Sequence, residues 1–368
     1  MTKTSEIEQR LEEQRAWTAE VERRAGGFRI LSTLPYRKVP FWTRVVDTVS
    51  LDHPRLKAAS PRLRTWALMG KMLLQANRYQ LVLLTGGERS DLVYAAVASL
   101  CPWIRTPHVI VDAHWQQARG VGRALQRLLL RMSRRLVAQV QPHSEEEVPL
   151  YHTLFGIPLD RLRAIPWSTS LLGFPDKPAP GPDDGEAPYI LTGGYSFRDY
   201  RVFLAAAAQA GLRVKVGLPK AGMTEEIATL VRGSPHVSLH TDWSNAEYVR
   251  QMQRCRVFAM PIEQGLTRST ADQTILNAMH YGKVVVSTDS IGPRIYLCDG
   301  ENGFLVREPS ADAWVAALKK AFGLPPAEYD RVGGNALYDA QVVFNEPLRL
   351  ARTLDVSMQV LENAPRRR

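Results

Sequence analysis

Short apolar runs alternate with helical stretches twice along this chain, and a proline-rich break separates the two sets. In the first set, strand candidates lie at 28–31, 81–84, 109–111 and 137–140, with helical patterns at 63–76, 92–100 and 122–134 between them. In the second, strand candidates lie at 189–192, 213–216, 237–239, 257–260 and 284–287, with helices at 200–210, 225–232, 246–255 and 273–281. Strands this short and this apolar are buried on both faces, and helices between them supply the crossovers of a parallel sheet. The expected fold class is therefore α/β, with two parallel-sheet domains.

The break itself, PDKPAPGPDDGEAP from Pro175, has no hydrophobic period and reads as a linker. The resulting division is a charged helical extension over 1–27 outside the fold, a first domain over 28–174, a linker over 175–186 and a second domain over 187–340. A helix and basic tail follow over 341–368. Three helix starts carry the Ser/Thr-x-x-Glu/Gln capping pattern, at Ser144–Glu147, Ser244–Glu247 and Thr270–Gln273.

Charge is uneven. Of the net +10, residues 1–180 hold 26 Lys and Arg against 16 Asp and Glu, and the remainder is balanced. An anionic partner is expected for the first half. Arg119, Arg123, Arg127, Arg131 and Arg135 recur every fourth residue with leucines beside them and no acid between. On a helix they share one drifting face, which reads as a membrane or acceptor face. Nothing in the chain is an 18-residue apolar stretch, and the first 27 residues have no apolar signal core. The expected location is cytoplasmic, peripheral on the inner face of the membrane. Three scattered cysteines indicate neither a disulfide framework nor a zinc site. The chain also lacks Asp-x-Asp, the Walker loop and the dinucleotide fingerprint, so no metal and no cofactor are expected. No nucleic-acid reading motif is present, and nucleic acid is not an expected partner.

The richest polar segment is 260–289. A strand ends at Met260-Pro261, a loop follows with Thr267, Arg268, Ser269 and Thr270, and a helix starts near Ala271. Such a loop at a strand's C-terminal end, followed by a helix N-terminus, suits a phosphate group.

The run TILNAMHYGKVVVST from Thr274, then Gly292 and DGENGFLV from Asp299, resembles the C-terminal signature of retaining glycosyltransferases of family 4. YILTGGYSFRDY from Tyr189 resembles the first strand and basic turn of that family's donor domain. PHVIVDAH from Pro107 resembles the strand that delivers its active-site histidine. The resemblance implies a GT-B fold, two Rossmann-like domains facing a cleft with a C-terminal helix. It implies a hexosyltransferase that moves a sugar from a nucleotide-sugar donor to an acceptor with retention, without a metal. His114 would be catalytic. Arg198, Lys220, Thr241, Asp242, Ser269, Thr270, Gln273 and Asn277 would bind the donor. The acceptor, lipid-linked or polysaccharide, is not named by the sequence. Ser269 and Asn277 stand where the family usually carries two glutamates, and Asp272 lies at the mouth of the diphosphate position. These departures motivate a rival reading, a catalytically inactive nucleotide- or glycan-binding protein on the same fold.

Overall fold

The computed structural model describes residues 3–34, 36, 38–49, 60–86, 89–171 and 187–362. The linker proposed at 175–186 and the basic tail at 363–368 lie outside the described residues. The chain forms two units, Met1–Pro166 with Pro347–Arg368, and Trp167–Glu346.

Unit 1 is built on a five-stranded parallel sheet of β1 (Ile30–Ser32), β2 (Val46–Thr48), β3 (Leu81–Thr85), β4 (His108–Val111) and β5 (Val137–Val140), in the order β2-β1-β3-β4-β5. Helices α1 (Lys3–Ala25), α2 (Pro40–Val45), α3 (Pro61–Gln75), α4 (Arg89–Leu100), α5 (Gly120–Ser133) and α6 (Glu147–Phe155) surround it. Helices α3 to α6 cover one face through Met69, Met72, Ala95, Leu130 and Tyr151. The other face carries Val109, Val111, Leu81 and Leu83. On it lie α1 through Val21 and Ala25, α2 through Phe41 and Trp42, and the last helix.

Unit 2 has a six-stranded parallel sheet of β6 (Ile190–Gly193), β7 (Val214–Gly217), β8 (Val237–His240), β9 (Val257–Met260), β10 (Val284–Thr288) and β11 (Phe304–Val306), in the order β11-β10-β9-β6-β7-β8. Its helices are α7 (Tyr200–Ala210), α8 (Glu225–Arg232), α9 (Asn245–Arg254), α10 (Asp272–His280), α11 (Ile291–Tyr296), α12 (Ala311–Phe322) and α13 (Pro326–Tyr338). Phe203, Trp314 and Leu318 fill one face and Met252, Ile275 and Leu276 the other. The final helix, α14 (Glu346–Glu362), returns the chain to unit 1.

Helix α1 is not an extension outside the fold. Trp17, Val21 and Ala25 repeat every four residues and pack into unit 1, and Arg24 pairs with Asp355 and Glu362 of α14 at 2.6 Å each. The stripe is one residue wide, so the surrounding charges conceal it in the sequence. The C-terminal stretch likewise closes unit 1 instead of standing apart, because Leu350, Leu354 and Met358 are buried against its sheet. Strands β2 and β11, three residues each, were not expected from the pattern.

Candidate functional site

In unit 2 the strand order reverses between β6 and β9. Loops leaving the C-terminal ends of two such strands diverge to opposite faces and open a crevice, the usual ligand position of a parallel sheet. The loop after β6 begins at Gly193. A Cβ there would lie 2.3 Å from the Tyr248 hydroxyl and 2.7 Å from the Gly217 carbonyl, so no side chain fits. Gly194 and Phe197 adopt φ of +83° and +58°. Arg198 follows, donating to the carbonyls of Ser196 at 2.6 Å and Gly193 at 3.4 Å. Loss of hydration lowers the affinity of this half-buried guanidinium for its proton, while Tyr200, Tyr248, Asp272 and Glu263 act in the opposite sense. The loop is tied to the one after β9 by Glu263 N–H to Phe197 O at 3.1 Å and Asp199 N–H to Pro261 O at 3.3 Å.

Ser269 and Thr270 are buried in the β9 loop. Thr270 does not cap α10. Ala271 is the N-cap residue, in the left-handed region at φ +69°, and its own side chain supplies no cap. The capping pattern fails because the chain must turn sharply here. A Cβ on Gly292 would sit 2.5 Å from the Thr270 carbonyl, so α11 is pressed against the loop. Asp272 is buried beside Gly292 and exerts its charge on Arg198.

Gln273 and Asn277 do not stand clear of the protein. Asn277 Oδ1 accepts from the Thr169 hydroxyl at 3.2 Å and from Ser170 N–H at 3.1 Å, and its amide donates to Ser170 Oγ at 3.4 Å. The Gln273 amide donates to the same Ser170 oxygen. Both side chains hold the 169–170 segment on α10.

Lys220 is exposed on the turn Lys220–Gly222, which packs on the β6 loop where Tyr195 Cβ lies 2.3 Å from a Cβ built on Gly222. At the end of β8, Thr241 is half-buried and Asp242 exposed. Trp243 is half-buried, stacked on His240 with centroids 4.1 Å apart and planes 12° apart. It also reaches the space over Gly217. Arg198, Lys220, Thr241 and Asp242 thus follow the C-terminal ends of β6, β7 and β8, with a flat aromatic surface among them.

In unit 1, His114 lies just past β4. Its Nδ1 is 2.8 Å from the Asp112 carbonyl, which must accept, so Nδ1 carries a proton and, in the neutral ring, Nε2 is the acceptor nitrogen. Asp112 has φ +56°. Its carboxylate pairs with Arg349 of α14, accepts from Tyr36 OH at 3.2 Å and lies 3.7 Å from His143 Nε2. Burial alone would raise the Asp112 pKa, but Arg349 and His143 outweigh it and hold the carboxyl well below the usual range. The His143 ring stacks on His114 with centroids 5.6 Å apart. Asp112, Tyr36, His143 and Arg349 were missed from sequence, although Asp112 stands within the segment that singled out His114.

Arg119, Arg123, Arg127 and Arg131 are exposed along α5. Arg135 is not part of that face. It lies beyond the helix and donates to the carbonyls of Ser99, Ile104, Ala98 and Cys101 at 2.6–3.1 Å, binding the C-terminal end of α4. The fourfold spacing outlasts the helix, which ends at Ser133.

Residues 195–323 match the family model described as Glycosyl transferases group 1, a segment running from the β6 loop through α12. A glycosyltransferase from Rickettsia africae ESF-5 superposes with a TM-score of 0.66 at 13% identity, covering 95% of each chain. Anabaena Alr3699/HepE in complex with UDP gives 0.63 at 17% identity, covering 91% of this chain and 98% of that one. The chain has the GT-B fold. Sucrose-phosphate synthase from Thermosynechococcus elongatus shares this GT-B architecture, with a TM-score of 0.61, 17% identity and coverage of 86% and 84%. No curated protein matches the chain by sequence. The group 1 match contains Arg198, Lys220, Thr241, Asp242, Ser269, Thr270, Gln273 and Asn277. Among the described residues no helix is long and apolar enough to cross a membrane.

Proposed function

We propose that this protein is a retaining glycosyltransferase that moves a hexose from a nucleotide-sugar donor, with the donor held by unit 2. The observation that carries this reading is the convergence of Arg198 and the α10 N-terminus on the strand reversal between β6 and β9, inside the group 1 match. As the sugar–phosphate bond breaks, negative charge grows on the leaving diphosphate while the sugar takes on oxocarbenium character. A pre-positioned guanidinium and the positive end of a helix stabilise that charge without reorganising. Lys220 adds a second cation at the neighbouring strand end, and the Trp243–His240 stack offers a face for the nucleobase. These charges supply what a metal would, and the proposed reaction is metal-independent. The complexes of HepE with UDP and UDP-glucose make a uridine nucleotide the first donor to test. His114 takes the catalytic role that the family resemblance gives it, through Nε2. The proposed acceptor is lipid-linked or a growing polysaccharide of the cell envelope.

The test is transfer or hydrolysis of UDP-glucose and related donors, with the anomeric configuration of the product read by proton NMR. Retention supports the proposal and inversion defeats it. A non-catalytic binding protein is the second reading, favoured by the engagement of Gln273 and Asn277 with residues 169–170. Tight nucleotide binding with no turnover of any donor would select it.

A further inference from the structure

Among the described residues, the large apolar side chains that face solvent fall almost wholly in unit 1, and most lie on the outer surface of the α3–α4–α5 layer. On α3, Trp66 is 62% and Leu74 84% exposed; beyond α4, Trp103 is 65% exposed. On α5, Val121, Leu125 and Leu128 are 87%, 54% and 52% exposed, and their spacing of four and three puts them in one stripe. The layer is continuous, since α4 packs against both neighbours and the Asn77 amide after α3 donates to the Trp103 carbonyl at 2.6 Å.

The same segment carries the charge. From Arg62 to Arg135 the chain has twelve Lys and Arg against three Asp and Glu, a balance of +9 out of the total +10. None of the three acids belongs to α3, α5 or the loop at 101–107. Asp112 is buried in its pair with Arg349, and Asp91 accepts from Thr33. A second copy of the chain would bring the same positive charge, so self-association through this face is opposed.

We propose that the outer face of α3, α4 and α5 is a docking surface for an anionic lipid leaflet, with Trp66, Trp103 and the α5 leucines entering the headgroup region and Arg123, Arg127 and Arg131 meeting lipid phosphates. Tryptophan favours that boundary because one ring edge is apolar and the other carries a donor. An amphipathic helix lying flat needs no spanning segment. The N-terminus of α5 is six residues beyond His114, so a leaflet against α5 lies near the strand ends from which His114 projects. The surface stands independently of the glycosyltransferase reading.

The test is co-sedimentation of the full chain with vesicles of phosphatidylglycerol and phosphatidylcholine, against phosphatidylcholine alone. Binding should require the anionic lipid and fade as salt shortens the Debye length from about 10 Å at 0.1 M to about 3 Å at 1 M. Arg123→Gln/Arg127→Gln/Arg131→Gln should weaken partitioning by about a hundredfold, three surface charges each contributing close to a factor of five. Trp66→Ser/Trp103→Ser should weaken it while keeping the salt dependence. All five positions are exposed, and an unchanged thermal midpoint confirms that the variants fold. Equal pelleting with neutral vesicles, undiminished binding of the triple variant, or a dimer that does not bind vesicles would each overturn the assignment.

Discussion

Arg198 is held by two backbone carbonyls and has Asp272 within electrostatic reach, so its guanidinium is placed before any ligand arrives. Arg198→Ala should weaken binding of a nucleoside diphosphate by about 1.5–3 kcal/mol, the range for a hydrogen bond to a charged group. Titration calorimetry with UDP measures this directly, and unchanged affinity in a folded variant removes Arg198 from the site. A different residue governs acid stability. Burial pushes the His108 imidazole down to about 4, between the Thr106 carbonyl and the Tyr94 hydroxyl. Its unfolded value is about 6.5, so in acid the unfolded state takes up a proton that the native state refuses. The stabilising contribution is complete above about pH 6.5 and declines as pH falls toward about 4, by on the order of 3 kcal/mol. Urea unfolding across that range should show the slope, and His108→Gln should flatten it. Sequence singles out Arg198 and His114 because each sits in a short local pattern. It could not show that Asp112 meets Arg349, since 237 positions separate them and only the fold joins them.

The helices of the alternating pattern were readable from periodicity, but α2 and α11 to α13 were not, and neither were two details at helix ends. At α10 the local pattern promised a threonine cap, but contact with α11 at Gly292 overrides it and leaves Ala271 in a left-handed conformation. Ala271→Gly relieves that strain, and the protein should gain up to about 1 kcal/mol in chemical unfolding. A loss of stability would mean that the alanine methyl makes packing contacts worth more than the strain. At the other end of the chain, α14 reads as an ordinary terminal helix, while its buried face completes one side of the unit 1 sheet. Deleting 347–368 would expose that face and leave Asp112 without its arginine. Limited proteolysis of the shortened chain should find protection confined to 167–346. A cooperative unfolding transition from unit 1 in that chain would show α14 to be dispensable. The turn at 299–303 is a related case. Asn302 binds Cys298, Tyr296 and Asp339 and so shapes the backbone, which makes this part of the family signature architectural.

For the whole molecule, the two parallel sheets follow from composition and period, because strands buried on both faces tolerate few polar residues. The assignment of the first and last helices to unit 1 does not, because it depends on contacts remote in sequence. If the charges of Arg198 and α10 stand in for a metal, sugar transfer should proceed unchanged in EDTA. Activity that stops with chelator and returns with magnesium would contradict the proposed chemistry. A donor present at 100 times its dissociation constant should stabilise the folded protein by about 2.7 kcal/mol, so a thermal-shift screen of nucleotide sugars can identify it.

Unit 2 occupies the chain between Pro166 and Pro347, so unit 1 is divided by it. On a ribosome the two parts of unit 1 emerge at different times. The first 166 residues appear without one of the three helices that cover one face of their sheet, and they wait while the 180 residues of 167–346 are made. At about 5–20 residues per second that delay is roughly 10–35 s. Unit 2, continuous in sequence, can finish folding first. The nascent first half must meanwhile keep Val109, Val111, Leu81 and Leu83 from other apolar surfaces, and it is the period in which a chaperone would be needed. The order of completion thus runs opposite to the order of synthesis: unit 1, whose larger part is made before unit 2, is the last to be finished.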